Sequence, residues 1–389
     1  MAMFVTAAKL WNGRQFLDRS TLLIEDGRIT SLTGATAANH CEIADFRSAT
    51  LAPAFFDVHI HGAAGHDVME GTAKALRAIG SFLATKGTGA YLPTTVTAPL
   101  DATLRSVSDL AKLIRKPELI ADKSEAVAKP LGIHLEGPFL SHAKCGVQPV
   151  EHMLAADVAI FDRIFEAAEG TVRLMTIAPE LPGAVELIRH ATSRNVRMSL
   201  GHSNATAAET RNAIAAGAVS ATHTFNAMRA LDHREPGILG TVLTSDSLYA
   251  ELICDGIHVA PEMVRLWSRA KGAAHGILVT DAMTATGMPD GEYQLGGFAV
   301  QVADGRATAR GKLAGSVLTL DRALLNFMRY TGAPLVDALP MLTSNPAAMT
   351  GLNSITGSLG EGGLANLVAL DDSGKLLGSI VNGRLAWRG

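Results

Sequence analysis

The chain has 389 residues with 34 basic and 37 acidic side chains, a formal charge of −3, and is 48% hydrophobic but only 18% charged. This composition can bury a large core and excludes intrinsic disorder, and without a basic block there is no Lys/Arg stripe for a nucleic-acid partner. Cys41, Cys145 and Cys254 form no CxxC pair or disulfide framework, no run reaches the roughly 18 apolar residues of a membrane span, and residues 1–12 lack a leader pattern, so a cytoplasmic protein without a membrane partner is expected.

In chain order, residues 21–32 read as two β runs around Asp26-Gly27, a tight-hairpin signal. From there, short apolar runs alternate with helix-like stretches. The expected strands are 55–61, 90–95, 131–136, 172–177, 197–201, 219–223, 249–255 and 277–281. Between them fall helical stretches at 72–86, 183–194, 205–216 (capped by Ser203 or Asn204) and 261–271, where Pro261 suits the first turn. Residues 365–387 repeat the hairpin theme with Asn382-Gly383.

Eight strands alternating with helices over about 290 residues is the count for an α/β fold of the (β/α)8 TIM-like barrel type. The expected organisation is a barrel over 53–348 and a small β-sandwich domain built from both chain ends, 1–52 and 349–389. A doubly wound open sheet is the alternative. It would carry a Gly-rich phosphate turn after its first strand, and none is visible.

Active sites of such barrels lie at the C-terminal ends of the strands. Those ends carry His59 and His61, which share one face at i and i+2. They also carry His134 and Glu136 before Gly137-Pro138, then His202, His223, Asp255 with His258, and Asp281. Each alone has a bland reading as a satisfied core histidine or a capping carboxylate. Their joint occurrence at several tips converges on one mouth and points to a divalent metal. Imidazole with carboxylate and no thiolate favours zinc, with iron or manganese as replacements. An ion of this kind brings water to a pKa near 7, and Asp281 is placed to pass that proton to a leaving group.

The segments PAFFDVHIHG (53–62), HLEGPF (134–139), GHSNA (201–205), HTFNAM (223–228), HREPG (233–237), DGIHV (255–259), LVTDAM (278–283) and LAGS (313–316) together resemble the amidohydrolase superfamily. Within it, the chain is similar to the N-acetylglucosamine-6-phosphate deacetylases, essentially from end to end. The resemblance implies hydrolysis of N-acetylglucosamine 6-phosphate to glucosamine 6-phosphate and acetate. It implies attack of metal-bound hydroxide, with Asp281 as general base and then acid. Glu136, His202 and His223 match the ligands of one ion. His59 and His61 match those of a second, with Glu136 bridging, so one or two ions are implied. Asn226 and Ala227 match residues that hold the sugar phosphate, and His258 matches a substrate-binding histidine. Arg234 matches an arginine that reaches the neighbouring subunit's site, which implies a homodimer. A guanidinium with an imidazole suits a phosphate dianion.

One segment departs from the family. Where its members have Lys-x-Gly-x-His, with the histidine on the acetyl carbonyl, this chain has Lys144-Cys145-Gly146-Val147-Gln148. Gln148 can donate a hydrogen bond but cannot carry a proton or a charge. The departure motivates a second reading, a deacetylase of another N-acyl amino-sugar phosphate such as N-acetylgalactosamine 6-phosphate. Cys145, on the same loop, is a candidate substrate contact. A cyclic-amide hydrolase fits less well, because Glu136 is the evident bridging group rather than a modified lysine. A non-catalytic sugar-phosphate sensor fits least, because every ligand type and Asp281 are retained.

Overall fold

The computed structural model describes residues 2–32 and 41–389; Met1 and 33–40, part of the expected 1–52 unit, lie outside the described residues. Eight parallel strands follow one another: β1 (Phe55–Ile60), β2 (Thr88–Thr95), β3 (Ile133–Glu136), β4 (Val172–Ile177), β5 (Arg197–Leu200), β6 (Ala218–Ala221), β7 (Tyr249–Ile253) and β8 (Gly276–Val279). Each overlaps the run expected from the sequence. The ring closes beyond the ends of β1 and β8, where the Asp281 N–H donates to the His59 carbonyl (2.9 Å) and Ile60 bridges Ala282. Asp57 clamps the same seam by accepting the Thr280 hydroxyl (2.6 Å).

Parallel barrel strands are covered on both faces, so they read as near-continuous apolar runs. Phe55, Phe56, Val58 and Ile60 of β1 are all buried. The outer helices complete the core. Trp267, on helix Pro261–His275, meets Phe327 of helix Leu320–Thr331 edge to face with ring centres 6.3 Å apart.

The helix after β5 corrects an expectation. It spans Ala207–Ala216, and its cap is Thr206, in a reciprocal capping box with Glu209. Ser203 and Asn204 are not the cap because Glu180 takes them: it accepts the Ser203 hydroxyl (2.8 Å) and the Asn204 N–H (2.6 Å). That holds the 201–204 segment at the barrel mouth.

The two chain ends share one seven-stranded sheet. Its order is Arg384–Arg388, Leu376–Val381, Leu367–Leu370, Glu42–Pro53, Ala2–Trp11, Phe16–Glu25 and Arg28–Ser31. Strand Glu42–Pro53 sits between the N- and C-terminal parts and runs through Ala54 into β1. Val5, Leu22, Ile24, Leu51, Leu367 and Ile380 form its core. Asp26-Gly27 and Asn382-Gly383 both turn with positive φ at both residues, as tight hairpins require. A Cβ on Gly383 would stand 2.5 Å from the Gly27 Cα, so the two turns pack directly on each other.

A four-stranded antiparallel sheet was not foreseen. Gly291–Leu295, Phe298–Ala303, Arg306–Ala309 and Lys312–Leu313 follow β8 and enclose their own core around Val300 and Val302. This sheet forms one wall of the mouth, and Lys312 Nζ donates to the Gly146 carbonyl (3.0 Å) on the opposite loop. Among the described residues, no helix is long and apolar enough to cross a membrane.

Candidate metal centre

The strand tips bring His59, His61 and Asp281 together as one buried group, and Glu136, His202 and His223 as another; each group could hold a metal ion. Glu136, of the second group, also lies against the first. Its Oε1 lies 3.2 Å from His202 Nε2, 3.1 Å from His223 Nε2 and 3.4 Å from His59 Nε2, and its Oε2 lies 3.5 Å from His61 Nε2. Asp281 Oδ1 is 3.0 Å from His61 Nε2 and 3.6 Å from His59 Nε2.

At His61 and His202 the outward-facing ring nitrogen meets a main-chain carbonyl. The Nδ1 of His61 faces the Thr94 carbonyl (2.9 Å), and that of His202 faces the Lys144 carbonyl (3.0 Å). A carbonyl only accepts, so Nδ1 carries a proton, and Nε2 is the atom left to ligate when an ion is bound. The Nε2 atoms of His202 and His223 approach to 3.1 Å. His59 Nε2, fully buried, has no hydrogen-bond partner. Inward Nε2 atoms crowded around two carboxylates are the donor set of a divalent ion with nitrogen and oxygen ligands, so the residues fit such an ion.

The electrostatics follow from burial. Burial alone would raise Glu136, yet His59, His202 and His223 hold its carboxyl well below the usual range. Burial likewise opposes ionisation of Asp281, but His59 and His61 keep it low. His258 is held above the ordinary imidazole value by Asp255, against its burial. Asp255 accepts the Ile257 and His258 N–H groups on Oδ1 and the His258 ring on Oδ2 (2.6 Å).

Several tips adopt left-handed backbone that is uncommon for non-glycine residues: φ is 46° at His202, 28° at His223, 82° at Phe225, 51° at Ala227 and 51° at Asp281. Such conformations persist where surrounding structure over-determines them, and they cluster at functional sites.

A cavity of about 130 Å³ opens onto both groups. His61, Glu136, His202, His223 and Asp281 line it together with Asn226, Ala227, Gln148 and His258, and Val96, Leu295 and Leu313 add apolar wall. At this size it is smaller than the roughly 300–1,000 Å³ of whole ligand sites.

Gln148, Cys145 and Arg234 take up distinct positions relative to this cavity. Gln148 lines the cavity, but the Thr97 N–H donates to its Oε1 (2.8 Å), so its Nε2 must face Glu136 Oε2 (2.5 Å). One of its donors is thus already engaged by the shared carboxylate. Cys145 is not among the lining residues, and its thiol turns to the Gly146 carbonyl (3.6 Å). Arg234 is exposed and does not line its own chain's cavity. Replacing Gln148 by Ala would orphan the Thr97 N–H and remove a donor from Glu136. At roughly 1–3 kcal/mol for an unsatisfied buried group, kcat/KM should fall about tenfold or more, measured by steady-state kinetics.

Around the site stand His134, which the sequence already put at a strand tip, and two acids that the sequence reading passed over, Asp57 and Glu251. His134 sits beneath His59, edge to face at 4.7 Å, with Nδ1 on the Val58 carbonyl and Nε2 on the Thr176 hydroxyl. Burial keeps it neutral. Burial pushes the Asp57 carboxyl up to about 7, while the Thr280 hydroxyl and the His59 N–H bond to it. Glu251, on β7, reaches His59. A lone acid inside an apolar strand was the signal available for Glu251.

Metal-ligand side chains converging at the C-terminal mouth of a parallel barrel define a metal-dependent hydrolase site. The model of the amidohydrolase family matches residues 50–386, and the chain belongs to that family. It is 37% identical over 387 residues to an N-acetylgalactosamine-6-phosphate deacetylase of Escherichia coli O157:H7, covering 99% of this chain and 100% of that one. It is 35% identical over 367 residues to an N-acetylglucosamine-6-phosphate deacetylase of Bacillus subtilis (strain 168), covering 94% and 92%. A solved mutant of the N-acetyl-D-glucosamine-6-phosphate deacetylase of Mycobacterium smegmatis, in complex with N-acetyl-D-glucosamine-6-phosphate, superposes with a TM-score of 0.89 at 34% identity over 99% of both chains.

Proposed function

We propose that the chain is a divalent-metal-dependent hydrolase that cleaves the amide of N-acetylglucosamine 6-phosphate with water, giving acetate and glucosamine 6-phosphate. The observation that carries this reading is one cavity lined by members of both ligand groups, Asp281 among them, and by His258, in a chain matched along its whole length by deacetylases of such sugars. Glu136, His202 and His223 would hold one ion, and His59, His61 and Asp281 a second beside Glu136. The donor set suits zinc, with iron or manganese able to replace it. When bound, the ion supplies Lewis acidity to the acyl carbonyl and to water.

The chain's own groups do the rest. Asp281, kept as a carboxylate, takes a proton from the attacking water and returns it to the amine nitrogen as the C–N bond breaks. Asp255 turns His258 so that its other ring nitrogen is free to donate to the substrate. Gln148 holds Glu136 in place through its amide. Asn226 and Ala227 contribute the rim on which the sugar phosphate rests. The enclosed volume takes the acyl end and leaves the phosphate at the mouth, where Arg234 of a neighbouring copy completes a homodimeric site. An exposed Arg234 with no contact in its own cavity supports that arrangement. Three free thiols, Cys41, Cys145 and Cys254, agree with the cytoplasm.

The galacto epimer is the second reading. It is favoured by the 37% identity to the E. coli enzyme named for that substrate and by Gln148 in place of the family histidine. Acetate release from the two epimeric 6-phosphates, run side by side, decides between them. A higher kcat/KM on the gluco epimer supports the first reading, and a reversed preference replaces it with the second.

A further inference from the structure

Glu251 lies in the middle of β7, fully buried between the apolar Ala250 and Leu252. A carboxylate there is expensive unless it has partners. One of its oxygens has them: Oε2 lies 3.2 Å from His59 Nδ1 and accepts the main-chain N–H of His223 (3.3 Å). The other, Oε1, is buried without a partner.

His59 depends on this contact more than the neighbouring ligands depend on theirs. His61 and His202 each lean on a backbone carbonyl, which no side-chain change removes. The outward nitrogen of His59 has a side chain, Glu251, as its acceptor, and the opposite nitrogen faces Glu136 and Asp281. With Glu251 present, the proton sits on Nδ1 and Nε2 offers its lone pair to the cavity. Without it, nothing holds the proton there, and the ring can present N–H where a ligand is needed. A carboxylate behind a ligating imidazole also makes the imidazole a stronger donor.

We infer that Glu251 is a positioning residue that decides whether the second ion, the one at His59, His61 and Asp281, is held. The inference rests on the metal-centre reading above and adds a specific support for one of its two halves. The ion at Glu136, His202 and His223 does not use His59 as a primary ligand, and Glu251 meets His223 only at its main-chain N–H, not at the ring, so it should respond far less.

The test is zinc stoichiometry and affinity, not turnover. Protein stripped with a chelator is titrated with zinc against a chromophoric competitor, and bound zinc is counted by elemental analysis. Wild type, Glu251→Gln, Glu251→Leu and His59→Asn are compared, with thermal unfolding of each metal-free protein. Wild type should take two ions. The Leu variant should bind the second about 10–100-fold more weakly, with the first nearly unchanged. Gln keeps an acceptor for both N–H groups but loses the charge, so it should fall between them, and it answers the question alone if Leu does not fold. Unchanged affinity for both ions in the Glu251 variants would overturn the inference and leave the centre standing. So would equal weakening of both ions with a lowered Tm, which marks a merely structural role. A wild type that binds one ion also overturns it, and a wild type that binds none overturns the metal-centre reading itself.

Discussion

In the Asp281→Asn variant, acetate release should fall by roughly 10²–10⁴-fold, the usual worth of a positioned acid–base group. Substrate binding and the ion at Glu136, His202 and His223 should be retained. Asparagine keeps the shape of the side chain and can still place an oxygen near His61, now 3.0 Å from Asp281 Oδ1. It also tolerates the left-handed backbone at this position (φ 51°), which a bulkier or β-branched residue would not. What it cannot do is accept the proton. Single-turnover kinetics with metal content measured on the same sample separate the two effects. Unchanged turnover would remove Asp281 from the proton transfer.

Glu136→Gln should have a larger structural reach. Glu136 is within 3.5 Å of His59, His61, His202 and His223, so one substitution withdraws negative charge from both ligand groups. The incoming amide also brings N–H donors to face inward lone pairs. Zinc affinity should fall by more than the 10–100-fold of an outer-shell change, and turnover should be lost with it. Adding excess zinc should restore little of the rate. Elemental analysis after dialysis checks the first claim, and kinetics at raised zinc check the second. Full metal retention would mean that the two groups are not joined through this carboxylate.

Much of this was legible in the residues. The eight barrel strands were visible as apolar runs because a parallel strand is buried on both faces, and the ligands stood out as polar residues at the ends of those runs. The hairpins at 26–27 and 382–383 were visible because positive φ at two successive positions selects Asp-Gly and Asn-Gly. The cap at Thr206 was misplaced although the T-A-A-E pattern of a capping box is present at 206–209, because Ser203 and Asn204 offered the same chemistry nearby. The choice depended on Glu180, distant in sequence.

The four-stranded sheet at 291–313 carries turn signals at Gly296-Gly297 and Asp304-Gly305, but they lay inside a stretch already assigned to the barrel. Glu251 and Asp57 were missed for a different reason. Each looks like a stray acid in a strand until the fold supplies its partner, His59 for one and Thr280 for the other. The Gln148 departure was visible in the sequence, but its engagement with Glu136 and Thr97 was not.

The central claim is metal-dependent deacetylation of a phosphorylated amino sugar in the cavity beside Glu136. Acetate release by zinc-loaded protein, from N-acetylglucosamine 6-phosphate and from the unphosphorylated sugar in parallel, tests it most directly. Turnover that requires both the phosphate and the metal is the predicted result. Absence of turnover on the 6-phosphates of both epimers, with zinc shown to be bound, would contradict it.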